Sequence, residues 1–135
     1  MMTKVPFDAM SGVAVALLAC VLSVSAAAQD ASPWQHGNHS AVRLLAGSRS
    51  GAVLLGGVAF QLEPGWKTYW RTPGDSGVPP RFDFSKSDNI DAVTVLWPAP
   101  SKFPDGAGGH SLGYRDQVVL PLRIAAKNAD KPITL

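Results

Sequence analysis

The chain has 135 residues, with 12 Lys and Arg against 10 Asp and Glu, a net charge of +2 and both signs interspersed. That balance excludes the basic footprint of a nucleic-acid binder, and the length allows one small domain with a modest core. One cysteine, Cys20, is present in the whole sequence.

Residues 1–28 read as a secretory signal peptide. Lys4 gives a weakly basic start, and Val13 to Val24, "VAVALLACVLSV", is an uncharged apolar run. Ala26 and Ala28 then supply the small-x-small cleavage pattern. The run is shorter than the ~20 residues of a membrane span. "LLAC", Leu17 to Cys20, also resembles a lipobox. Leu18 fits it poorly and the apolar run continues past Cys20, so lipid anchoring is the lesser expectation. With the leader removed no cysteine remains, and neither a disulfide nor thiol chemistry is open to residues 29–135.

Residues 29–39 are polar and turn-rich and are expected to form a flexible leading segment. His36 and His39 in "HGNH" have a spacing that suits a metal on a helix. Here they lie in the leading segment with no cysteine and only Asp30 as an acid, so they are expected to be exposed and unliganded. No metal or cofactor site is expected anywhere in the chain.

From residue 40 the pattern is strand and turn. Val42, Leu44 and Ala46 alternate with Arg43 and Leu45, and Val58, Phe60 and Leu62 alternate with Ala59 and Gln61. "EPGW", Glu63 to Trp66, places Pro and Gly at the centre of a type II turn. "WKTYWR" follows, with Trp66, Thr68 and Trp70 on one face, so a β-hairpin is expected across the turn. "RFDFS" is a short strand candidate carrying Phe82 and Phe84. Val93, Val95 and Trp97 share a face, as do Val118, Leu120, Leu122 and Ile124. Pro121 marks that last strand as an edge or a bulge. No stretch after Ala28 has a helical apolar period. The fold class expected is all-β, an immunoglobulin-like antiparallel β-sandwich over residues 40–135. Ile133-Thr134-Leu135 after the Ala129–Pro132 turn opens a further strand, so the sandwich is expected to be incomplete at its C-terminal end and the chain a fragment.

"RTPGDSGVPP", Arg71 to Pro80, contains the GDSG core of a chymotrypsin-type nucleophile loop, with Ser76 as the nucleophile. A triad needs a histidine base and an orienting carboxylate in a set geometry. His36 and His39 precede Ser76, but the only acids between are Glu63 and Asp75, and Asp75 belongs to the loop. Val78, Pro79 and Pro80 replace the Gly-Pro that should follow. Val78 also occupies the second glycine of a G-x-S-x-G elbow. No catalytic residue is assigned. The loop reads as a turn, with Pro73-Gly74 and Gly77 bending the chain and Asp75 and Ser76 bonding nearby amides. "PDGAGGHSLG", with His110, is expected to be a mobile glycine-rich loop without the frame of a phosphate cradle. Trp66, Trp70 and Trp97 are expected in or near the core, while Trp34 is left open.

Together, "FQLEPGWKTYWRTPGDSGVPPRFDFSKSDNI", "VLWPAPSKF" and "GYRDQVVLPLRI" resemble the N-terminal periplasmic domain of the thiol:disulfide interchange protein DsbD family, in its ScsB-type variety. The resemblance covers roughly residues 40–135. It implies an immunoglobulin-like domain exported to the periplasm. It also implies transfer of reducing equivalents from a membrane-embedded redox domain to periplasmic thiol-disulfide proteins and cytochrome c maturation factors. In the family a cysteine pair does this beneath a mobile cap, which corresponds here to about Lys102 to Gly113. This chain departs from the pattern in two ways. It stops before the position of the cysteine pair, so no residue is assigned as a redox cysteine. The cap region has no central aromatic, Phe103 being nearest. The resemblance implies a disulfide reductase, but this chain as it stands is expected to be inactive. The alternative is a non-catalytic periplasmic immunoglobulin-like protein-binding domain that uses exposed aromatics such as Tyr69 and Tyr114.

Overall fold

The computed structural model describes residues 30–135. The expected signal peptide, residues 1–28, and the lipobox-like "LLAC" lie outside them. The described residues form strands, turns and loops with no helix.

Two antiparallel sheets carry the fold. The larger takes β1 (Gln35–His36), β2 (Ser40–Ser50), β3 (Val53–Leu62), β8 (Gln117–Ala126) and β5 (Ile90–Val95), in that spatial order. The smaller has the order β4 (Lys67–Gly74), β7 (His110–Arg115), β6 (Ser101–Pro104). This is the expected all-β, immunoglobulin-like sandwich. The apolar alternation in the sequence is the cause. Val58, Leu120, Leu122 and Ile124 are at most 3% exposed and form the inner face of the larger sheet. Tyr114 from β7 and Trp70 from β4 pack against them. Each such aliphatic side chain contributes about 1.5–3 kcal/mol by leaving water.

Several local expectations change. The "EPGW" turn closes, with Trp66 N donating to Glu63 O at 3.0 Å. Yet β3 and β4 do not form a hairpin. Both sides of β3 are already taken, by β2 and β8, so the turn carries the chain across to the other sheet. β8 is likewise interior rather than an edge. Pro121 is tolerated because its carbonyl, which accepts from Leu96 N at 2.8 Å, faces the side where β5 has just ended at Val95. In an extended strand the imide nitrogen points the same way, so the ladder to β3 loses no bond. "RFDFS" joins no sheet, though Phe82 and Phe84 still pack against the core. The leading segment is tied along β2. Gln35 pairs with Val42, His36 pairs with Ala41, and Ala31 bridges Leu45.

Thr134 forms an antiparallel bridge with Asp88, and Ile133 and Leu135 pack against the core. Asn89 fastens this segment. Its backbone is left-handed (φ 57°), and its side-chain amide donates to the carbonyls of Asn128, Lys131 and Pro132 at 2.9–3.1 Å.

Candidate functional site

The "GDSG" loop clamps the hairpin made by β6 and β7. β4 ends at Gly74, whose φ of 91° suits glycine, and a Cβ there would lie 2.8 Å from His110 O. Asp75 then bonds His110 twice. Its N–H donates to His110 O at 2.9 Å, and its Oδ2 accepts from His110 N at 2.8 Å. Gly77, at φ 103°, lies so close against the Tyr69 ring that no side chain fits between them. Across the hairpin tip, Asp105 Oδ1 accepts from Ala107 N and Gly109 N, both at 2.9 Å. The Ala107 N–H is the main reason the Asp105 carboxyl is held below the usual carboxylate range. The glycine-rich stretch is therefore bonded both within itself and to the loop that precedes it. His110 opens β7 instead of lying in a loop.

Beside the clamp lies the outer face of the smaller sheet. Lys67 of β4 and Arg115 of β7 are direct cross-strand partners, as are Phe103 of β6 and Ser111 of β7. Lys67 Nζ donates to the fully buried Ser111 Oγ at 2.9 Å. Both cations lie on Phe103, with Lys67 Nζ 5.5 Å and Arg115 Cζ 4.3 Å from the ring centroid. Lys67 Nζ is also 5.6 Å from the centroid of Tyr69. The sequence marks Phe103 only as the aromatic nearest the cap. Its two cations come from β4 and from β7, the other arm of its own hairpin, and their convergence is visible only in the sheet register.

A second feature is an apolar cleft of about 490 Å³ between the β2–β3 face and residues 80–87, lined in part by Val42, Leu44, Phe60, Phe82 and Leu135. Five strands face three, so this part of the larger sheet is covered by loop alone. The unpaired "RFDFS" segment makes that cover.

The remaining candidates are dispersed. Ser76 makes no hydrogen bond to a histidine or carboxylate among the described residues. His39 is engaged elsewhere, its Nδ1 2.9 Å from Glu63 Oε2 and its ring stacked on Trp66 at 3.7 Å and 9°. That stack corrects the core placement of Trp66, which is 49% exposed. The turn swings Trp66 out before β4 begins, while Trp70 and Trp97 do pack against the core. Trp34 is half-buried beneath the Arg43 guanidinium, 4.5 Å from its centroid. Tyr114 is not an exposed aromatic. It is 7% exposed, and its hydroxyl donates to Pro98 O at 2.7 Å. Burial pushes its phenol above the ordinary value. His36 is exposed on β1, and among the described residues no three His, Cys, Asp or Glu side chains gather as a metal site. Residues 30–135 contain no sulfur nucleophile.

Comparison with known proteins gives two findings. The family model "Thiol:disulfide interchange protein DsbD, N-terminal" matches residues 41–135. The crystal structure of the N-terminal periplasmic domain of ScsB from Proteus mirabilis is similar at 34% sequence identity, with a TM-score of 0.62 over 76% of this chain. The chain spans 40% of that structure's length. No curated protein matches.

Proposed function

The chain belongs to the family of the N-terminal domain of the thiol:disulfide interchange protein DsbD, and from that membership we propose that it serves a periplasmic redox relay as its immunoglobulin-like module. In this reading the module receives reducing equivalents from a membrane-embedded domain and passes them to oxidised periplasmic thiol-disulfide proteins. The family match is the observation that carries it. The clamped β6–β7 hairpin lies in the region that corresponds to the family's cap, which supports a shielding role for it.

Thiol exchange needs a thiolate, a disulfide sulfur and access between them. Residues 30–135 hold neither sulfur, so their part in the relay is to shield and to recognise. The same absence supports a second reading, a non-catalytic domain that binds periplasmic proteins. One experiment separates the two. The reading frame following the Leu135 codon is sequenced, and the encoded polypeptide is assayed for reduction of an oxidised thioredoxin-fold protein. A cysteine pair within the next few tens of residues, with turnover, is the expected result. An immediate stop codon, or turnover that survives mutation of that pair, would overturn the relay and leave the binding reading.

A further inference from the structure

Lys67 and Arg115 stand directly opposite each other on neighbouring antiparallel strands. Like charges in that position destabilise a sheet. Among the described residues neither lies within 4.0 Å of a carboxylate. Asp75 and Asp105 are bonded to backbone amides, and the Asp116 carboxylate, next to Arg115 in the chain, pairs with neither cation.

Two contacts hold the cations in place. The Ser111 hydroxyl, with no exposure, accepts from the Lys67 ammonium at 2.9 Å. The Phe103 ring attracts both cations through its negative face. The result is a preorganised positive face with an aromatic floor, whose cations form no ion pair among the described residues. It lies on a sheet face whose Arg115 is exposed and whose β6 is an edge strand. Arginine and aromatic side chains are the usual anchors of protein interfaces.

We propose that Lys67, Phe103 and Arg115 form a docking site for an acidic segment of a partner protein, whose carboxylates supply the counter-charge this face lacks. The site gives the partner-binding role proposed above a charge rule. The two are separable, because the peptide assay below involves no sulfur chemistry.

The test is fluorescence anisotropy of rhodamine-labelled hexaglutamate with the purified chain at low ionic strength, where exposed charges are least screened. Saturable binding is expected, with none to hexaglutamine. Arg115→Gln should weaken it about three- to fivefold, the upper end of the scale for a lost exposed ion pair. Its melting midpoint should change little, since relief of the like-charge opposition offsets loss of the Arg115–Phe103 contact. Lys127→Gln, which removes a charge outside the site, should change affinity by less than about twofold. Absence of saturable binding, equal binding of hexaglutamine, or an equal loss in Lys127→Gln would overturn the proposal. The Arg115 variant leaves the Lys67–Ser111 bond intact, so loss of fold does not confound it.

Discussion

The two sheets are held together by different forces. The larger rests on burial, with Leu120, Leu122 and Ile124 at most 1% exposed and long ladders on both sides of β3 and β8. The hairpin end of the smaller sheet rests on carboxylates, Asp75 and Asp105, bonding exposed backbone amides. Burial is insensitive to pH and is lost only on global unfolding. Carboxylate clamps in water are worth little each and release locally. A fold divided this way predicts that the hairpin loses its bonds at lower cost than the larger sheet.

Each of four measurements would break or sharpen this contrast. The largest effect is expected from Leu122→Ala, which opens a cavity in the platform and should lower stability by about 2–5 kcal/mol. Denaturant unfolding measures this, and a loss below ~1 kcal/mol would mean that burial does not dominate there. Asp75→Ala should cost about 1 kcal/mol, and it should act locally. Hydrogen exchange is expected to speed up at His110 and Gly109 while the amides of β3 and β8 stay protected. Equal acceleration in both sheets would erase the distinction.

The third measurement uses acid. Asp105 has a folded pKa below its unfolded value, so its contribution is fully present above about pH 4 and is lost as pH falls through the folded value. Hairpin amide signals should therefore broaden or shift below about pH 4 before those of the larger sheet. The fourth and smallest uses alkali. Burial raises the Tyr114 phenol, so its contribution is full below about pH 10 and is lost as pH rises through the folded value. The Tyr114→Phe variant should flatten that alkaline slope, and an unchanged slope would assign it elsewhere.

The outer face marks where sequence reading stopped. Alternation alone identified Val58, Phe60, Leu120, Leu122 and Ile124 as inward-facing, because a strand's side chains have a period of two wherever the strand pairs. Local pattern fails at Trp66 and "RFDFS", and the expectation of an exposed Tyr114 fails for a different reason. The turn rotates Trp66 outward. Tyr114 lies on the inward face of β7, which only the strand's register shows. "RFDFS" has the composition of a strand but finds no free edge.

By itself, the sequence determined the all-β sandwich, the family and the absence of sulfur from residues 29–135. These follow from composition, local period and a combination of motifs, which are properties of neighbours along the chain. The tertiary structure alone decided that "GDSG" is a clamp and that Lys67 faces Arg115 across Phe103. It also decided that Pro121 sits safely in an interior strand. Each of these depends on which strands became neighbours and in what register. Register is set by burial summed over whole sheets, and no short stretch of sequence carries that sum.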